Sequence, residues 1–221
     1  VSLGWTGGVN RRSVSELVVS FAIYLLHKVV FATNEVKRGK WYQVKGRQLS
    51  GRTVGIVGCG HIGKDLVQLL NPFGCKILVH DIVNYSDFYE KNNVTPVSLV
   101  ELIRESDVTS IHLPLNESTK NIINRDLISL LKQNAIFINI ARGGLIDEIA
   151  LEKRLIEGSL GGAALDVFAV EPPVDTKIAQ LDNVIVTPHI GGSTEEAILA
   201  MGKAAIEGLD TFHKASFFLN D

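Results

Sequence analysis

The chain has 221 residues, 46% of them hydrophobic and 21% charged, with a formal net charge of −2. That length can bury the core of one or two domains, and the charge balance offers no basic field for nucleic acid or an anionic membrane surface. The longest apolar stretch, residues 17–32, is shorter than a membrane span and carries His27 and Lys28. The first residues do not read as a signal peptide.

The two cysteines, Cys59 and Cys75, form neither a CxxC pair nor a zinc spacing. They read as reduced thiols of a cytoplasmic protein, and no metal site is expected. The chain opens on Val1 and VSLGWTGGVN, which reads as the end of a preceding unit, so a fragment of a longer protein is expected.

In chain order, Ser13 and Glu16 form an S-x-x-E capping box before a strongly apolar stretch. This predicts one helix over 13–37, stopped by Gly39. Residues 40–52 are a polar connector with Trp41 and Tyr42. A β-branched apolar run predicts a strand over 53–58. Gly58, Gly60 and Gly63 follow in G-x-G-x-x-G spacing, and Leu66, Val67, Leu69 and Leu70 continue at helical spacing, predicting a helix over 61–71. The first glycine permits the turn, the second lets backbone approach a pyrophosphate, and the third lets helix and strand pack closely. The helix start offers N–H groups and a positive dipole end to phosphates. The next apolar run, KILVHD, ends at Asp81, 18 residues past Gly63. A carboxylate there accepts hydrogen bonds from an adenosine ribose and repels a 2′-phosphate, which favours NAD over NADP. The plainer alternative is a glycine-rich turn with Asp81 at a solvated strand end. The complete strand–turn–helix–strand–acid unit argues against it.

Residues 84–93 form a loop or short helix, and 94–97 a short strand. A second capping box, Ser98 and Glu101, opens a helix to about residue 106. Strands are predicted over 108–114, 135–141, 161–168 and 184–189, and helices over 124–132, 148–157 and 194–214. Pro114, the Gly143–Gly144 turn, Gly158 and the Pro172–Pro173 loop punctuate them. The tail carries apolar Phe217, Phe218 and Leu219. This alternation predicts an α/β fold: a Rossmann-type, doubly wound parallel sheet of about seven strands with helices on both faces and right-handed crossovers. Ligands of such sheets bind beyond the carboxyl ends of the strands. There stand Gly58–Gly63, Asp81, His112–Pro114, Ala141–Arg142, Asp166 and His189.

Three ionisable residues lie at or just past late strand ends: Arg142, Glu171 and His189. Alone, each has an ordinary reading as a surface cation, a loop acid or a capped strand end. Together they suggest a site. A histidine exchanges protons near neutrality, a neighbouring carboxylate favours and orients its charged form, and an arginine offers a planar fork for a carboxylate. Beside a nicotinamide this suits hydride transfer at a carbon that bears oxygen. His112 reads as structural or supporting, Ser118 and Thr119 as shaping a loop near the cleft, and His27, His80 and His213 as non-functional.

With these residues in hand, the chain resembles the NAD-binding part of the D-isomer-specific 2-hydroxyacid dehydrogenases, most of all D-3-phosphoglycerate dehydrogenase-like members. The stretches that carry the resemblance are NRRSVSEL (10–17), GRTVGIVGCGHIGKDL (51–66), HLPLNESTKNIIN (112–124), FINIARGGLIDE (137–148), GGAALDVFAVEPP (161–173) and VTPHIGGST (186–194). The resemblance implies that Arg142 grips the substrate carboxylate, that His189 is the acid/base on the C2 oxygen, and that Glu171 pairs with His189. It implies His61 and Ile62 at the pyrophosphate, Asp81 on the ribose, and Leu113 and Pro114 walling the adenine or ribose pocket. It implies Asp166 and the Ala141 backbone on the nicotinamide carboxamide, and Gly191 and Gly192 beside the nicotinamide. Glu171 before the two prolines argues against a formate-type enzyme, where an amide is found.

The same resemblance implies a small 2-hydroxy acid or 2-oxo acid as substrate, phosphoglycerate-like in type, and a homodimer. It also implies a substrate domain that is largely absent here. Residues 1–12 then read as its remnant, 13–193 as the NAD-binding domain, and 194–221 as a helix and tail returning toward it. The competing reading is an NAD(H)-sensing, corepressor-like interaction protein of the same superfamily, which keeps the same triad.

Overall fold

The computed structural model describes residues 2–4, 6–173 and 177–214. The tail residues Phe217, Phe218 and Leu219, and part of the loop after Pro173, lie outside that set.

The chain opens with a short strand, β1 (Ser2–Leu3), followed by α1 (Arg11–Leu26) and α2 (Val29–Lys37). Two expectations are corrected here. The predicted single helix over 13–37 is two helices, bent by 62° at Lys28, whose φ is +57°. The connector explains the break. Arg47 donates its N–H to the Leu26 carbonyl at 2.8 Å, an acceptor that a continuous helix would give to residue 30. The second correction concerns the capping box. The helix starts at Arg11 with Asn10 as N-cap, so Ser13 lies inside the first turn, and its hydroxyl donates to the Gly191 carbonyl at 2.6 Å. Gly39 follows α2 at φ +76° as expected of a stop.

The repeated units follow: β2 (Thr53–Val57), α3 (His61–Leu70), β3 (Lys76–His80), α4 (Ser86–Lys91), β4 (Val94–Pro96), α5 (Leu99–Glu105), β5 (Val108–Ile111), α6 (Arg125–Leu130), β6 (Ile136–Asn139), α7 (Glu148–Ile156), β7 (Gly162–Leu165), β8 (Val184–Val186), α8 (Glu195–Glu207) and β9 (His213–Lys214). Seven strands form one sheet in the order β4-β3-β2-β5-β6-β7-β8, every pairing parallel. The order reverses between β2 and β5, which is the switch point of a doubly wound sheet. Registers Val57↔His80, Val57↔Ile111, Ile111↔Asn139, Asn139↔Leu165 and Leu165↔Val186 bring the carboxyl ends into one row.

Side chains alternate across the sheet, so each strand feeds two cores. Ile136 and Ile138 join α1 and α3 on one face, through Val14, Val18, Phe21, Leu66 and Leu70. Phe137 joins α5, α6 and α7 on the other, through Leu102, Ile103, Ile128 and Leu151. Burial on both faces explains why these strands read as continuous apolar runs.

Several strands are shorter than predicted. They end at Ile111, Asn139, Leu165 and Val186, and the segments beyond them give Leu113, Ala141, Asp166 and His189 to a cleft. The last helix ends at Glu207, not at 214. Gly208 there meets Gly4 back to back, such that a β-carbon on Gly4 would lie 1.9 Å from the Gly208 carbonyl oxygen. Beyond this contact β1 and β9 pair antiparallel, Ser2 opposite Lys214 and Leu3 opposite His213, a pairing the sequence did not announce. Among the described residues no single helix is long and apolar enough to cross a membrane.

Candidate active site

The glycine turn between β2 and α3 has the geometry its spacing requires. Gly58 adopts φ +98°, closed to most side chains. A β-carbon at Gly63 would stand 2.2 Å from the Gly58 carbonyl oxygen, whereas one at Gly60 would meet nothing within 4 Å. Gly58 and Gly63 therefore close the turn, and Gly60 leaves the space above it open. No side chain caps α3 at Gly60, so the first-turn N–H groups are available to an anion. Asp81, at the end of β3, steadies this loop. Its carboxylate accepts the N–H groups of Cys59 and Val83. Burial, with the charge of Asp81 next in effect, pushes the Cys59 thiol up to about 11, so it stands there as a neutral packing group.

Beyond the strand ends lies a cleft of about 530 Å³. It gathers Gly60, His61 and Ile62 from the glycine turn, Leu113 and Pro114 after β5, Ala141 and Arg142 after β6, Asp166 after β7, and His189, Gly191 and Gly192 after β8. These predicted positions come from five segments, and the strand register brings them together. Gly58, Gly63 and Asp81 shape the turn and do not line the cleft itself. Four further lining residues were not singled out from the sequence: Gly8, Asn10, Val14 and Ile140. In the sequence Asn10 stands out only as the first residue of the NRRSVSEL stretch. Its side-chain nitrogen lies 2.8 Å from where a β-carbon of Gly192 would be, so the segment before α1 forms a wall of the cleft.

Asp166 organises the late loop. It is 1% exposed. One carboxylate oxygen accepts from the Thr187 hydroxyl at 2.6 Å and the Ile190 N–H at 2.8 Å, and the other accepts the Gly191 N–H at 2.8 Å. The Asp166 carbonyl also accepts the His189 N–H at 2.9 Å. These bonds hold His189 at φ +55°, a region that non-glycine residues seldom occupy.

His189 Nδ1 lies 3.0 Å from a carboxylate oxygen of Glu171. An ionised carboxylate only accepts, so Nδ1 carries the hydrogen and Nε2 is left for exchange. The other Glu171 oxygen accepts the Phe168 N–H at 3.1 Å. The His189 hydrogen bond, and next the Phe168 N–H, hold the Glu171 carboxyl below the usual carboxylate range. Arg142 is exposed at the cleft mouth, and its guanidinium donates to the Ala141 carbonyl at 2.6 Å. Arg142, Glu171 and His189 also border a second groove of about 650 Å³, which runs along Leu115, Asn116, Glu117 and Lys120.

His112, read from the sequence as structural or supporting, lines the cleft. Its Nε2 meets the Ser110 hydroxyl at 2.9 Å, its Nδ1 is buried without a partner, and burial pushes its pKa down to about 3. Ser118 and Thr119 brace the turn after Pro114 through the Asn116 side chain and the Pro114 carbonyl. Neither borders the cleft. Among the described residues no cluster of metal-ligating side chains occurs.

A doubly wound parallel sheet with a glycine-turned first crossover and an acid at the end of the next strand is a dinucleotide-binding fold. The chain belongs to the D-isomer specific 2-hydroxyacid dehydrogenase family as its NAD-binding domain, whose sequence model matches residues 19–191. It is 40% identical over 210 residues to a hydroxypyruvate reductase of Thermotoga maritima, covering 91% of this chain and 67% of that protein. It is 43% identical over 198 residues to a D-3-phosphoglycerate dehydrogenase of Methanocaldococcus jannaschii, covering 88% of this chain and 38% of that protein. Among solved structures, a D-lactate dehydrogenase with NAD+ from Lactobacillus jensenii superposes with a TM-score of 0.84 at 28% identity, covering 91% of this chain and 66% of that one. The chain therefore spans about two thirds or less of the proteins it matches.

The residues present fit NAD. The open space over Gly60 admits a pyrophosphate against the start of α3, and Asp81 follows β3 beside this turn. The cleft that follows runs without interruption to His189.

Proposed function

We propose that this chain is the cofactor-binding part of an enzyme that moves hydride between NAD(H) and C2 of a D-2-hydroxy acid or its 2-oxo acid. The observation that carries this reading is the 3.0 Å contact between His189 Nδ1 and Glu171 beside Arg142, at the end of the cofactor cleft. When bound, the nicotinamide supplies or accepts the hydride. The remaining chemistry belongs to the chain. Arg142 turns from the Ala141 carbonyl to hold the substrate carboxylate as a planar fork. His189 Nε2 takes the C2 hydroxyl proton in oxidation and returns it to the developing alkoxide in reduction. Glu171 stays ionised, fixes the imidazole through Nδ1 and stabilises its charged form.

In this reading His61 and Ile62 lie against the pyrophosphate, and Asp81 binds the adenosine ribose. Leu113 and Pro114 wall the adenine side. Gly191 and Gly192 admit the nicotinamide closely. Asp166 and the Ala141 backbone hold the carboxamide. The Asp166 carboxylate, with three acceptor positions engaged by its own chain, keeps about one of its roughly four free for it. The groove past Arg142 takes the substrate beyond C3, and phosphoglycerate-like acids are the first candidates by family analogy.

Residues 13–193 form the NAD-binding domain in this proposal, 1–12 the remnant of a substrate domain, and 194–221 the return toward it. We place the protein in the cytoplasm, in keeping with its free thiols, and as a homodimer. Exposed Trp41, Tyr42, Tyr24 and Val36 along α1, α2 and the connector support the dimer, and sedimentation velocity tests it. The function is tested by NADH oxidation with a panel of 2-oxo acids, using the full-length protein. Turnover with at least one acid is expected. NADH binding without any turnover would replace the enzyme with an NAD(H) sensor.

A further inference from the structure

The acid/base pair depends on a turn, Phe168–Glu171, that is not part of any helix or strand. Two contacts fasten this turn to the segment that runs from Arg142 into α7. The first is steric. Gly143 packs so closely on the turn that a β-carbon there would stand 1.9 Å from the Phe168 carbonyl carbon and 2.2 Å from the Ala169 nitrogen. The second is directional. Glu148, in the first turn of α7, accepts the Ala169 N–H at 2.7 Å. Its neighbour one turn along, Glu152, accepts the Ile178 N–H at 3.1 Å on the far side of the same loop. Like charges at i and i+4 disfavour a helix. Here each carboxylate instead meets a main-chain donor, one before Glu171 and one after it.

We propose that Glu148 is a positioning residue for the acid/base pair: by accepting the Ala169 N–H it holds the Phe168–Glu171 turn so that the Glu171 carboxylate reaches His189 Nδ1. The proposal rests on the reading of His189 and Glu171 as the reacting pair. Helix α7 is a suitable anchor, because Ala150, Leu151 and Leu155 fix it in the core. Its N-cap is already supplied by Asp147, which accepts the Ala150 N–H at 2.9 Å. Glu148 is therefore free for the loop. Ala169 is two residues before Glu171, and Phe168, on the other side of Ala169, gives its own N–H to Glu171 at 3.1 Å. A shift of Ala169 thus moves both ends of the Glu171 hydrogen-bond pattern. Gly143 sets how near the turn can come, and Glu148 stops it from moving away.

The test uses Glu148→Gln, Glu148→Asp and Glu148→Ala in the full chain. Glutamine keeps the reach of the acceptor without its charge. Aspartate keeps the charge at the helix start with one methylene less reach, and it serves where the alanine variant fails to fold. The first readout is the titration of the Glu171 carboxyl carbon by 13C NMR, assigned with Glu171→Gln. Wild type and Glu148→Gln are expected to titrate alike, below the usual carboxylate range. Glu148→Asp and Glu148→Ala are expected to move the midpoint up, as the His189 contact lengthens. The second readout is NADH oxidation, where kcat/KM should fall about tenfold or more in those two variants with NADH affinity unchanged. A Glu171 midpoint that stays in place in Asp and Ala overturns the proposal. So does one that moves in Gln as far as in Ala. If the wild type turns over no 2-oxo acid, the proposed function falls, and the carboxyl titration still decides the role of Glu148.

Discussion

Ser13 and Gly191 lie 178 residues apart, and the Ser13 hydroxyl donates to the Gly191 carbonyl at 2.6 Å in a buried setting. This one bond ties the first turn of α1 to the loop that carries His189. Nearby bonds extend the tie. Ser15 donates to the Ile62 carbonyl at 3.3 Å, and Arg12 pairs with Asp65 of α3 at 2.9 Å. Helix α1 thus joins the glycine turn to the loop that carries His189.

Ser13→Ala leaves the Gly191 carbonyl without its partner, at a cost of about 1–3 kcal/mol. Lower thermal stability and weaker NADH binding are expected together, because Gly191 lines the cleft. Thermal denaturation and NADH fluorescence titration check the pair. An NADH affinity equal to wild type would separate α1 from the cofactor site.

His189→Ala should reduce kcat by roughly 10²- to 10⁴-fold and leave NADH binding nearly intact. Single-turnover hydride transfer and fluorescence titration measure the two separately. Equal loss of both would make His189 a structural residue of the cleft.

Gly143→Ala forces a β-carbon against the Phe168–Ala169 backbone, 1.9 Å from the nearest atom. Overpacking of this kind costs about 1–3 kcal/mol. The midpoint of urea denaturation should fall. Gly144→Ala is the control, since a β-carbon there meets only the Leu115 side chain, at 3.1 Å. It should be nearly neutral.

Two groups contribute to the acid limb of stability. The Glu35 carboxylate accepts from Tyr42, Lys40 and Arg38, which lower it from 4.5 to about 2. Its contribution is complete above pH 4.5 and is lost as the pH falls toward 2. His112 is lowered by burial from 6.5 to about 3. Between those values the unfolded chain holds a proton that the folded chain does not, so stability falls as pH drops from 6.5 toward 3. Urea denaturation across pH should show Glu35→Gln flattening the lower part of this limb and His112→Gln the upper part. Unchanged slopes would mean that other groups govern the limb.

The capping boxes show how far local sequence reaches. Ser98 and Glu101 form the N-terminus their pattern predicts, with the Ser98 oxygen accepting the Glu101 N–H at 3.2 Å. Ser13 and Glu16 have the same S-x-x-E pattern, yet Ser13 lies inside the helix, because Gly191 offers its hydroxyl a tertiary acceptor. The same division runs through the site. The glycine turn, the parallel sheet and the strand-end positions of Arg142, Asp166, Glu171 and His189 were legible in the sequence. Glycine spacing, apolar period and turn residues act over a few neighbouring positions, so sequence alone determined them. The bend at Lys28, the four bonds around Asp166, the wall made by Asn10, and the hold of Glu148 on Ala169 were not legible. Each joins residues distant along the chain, and no local pattern states which donor an acceptor will meet. Those partnerships were decided only when the strand register brought the carboxyl ends of the sheet into one row.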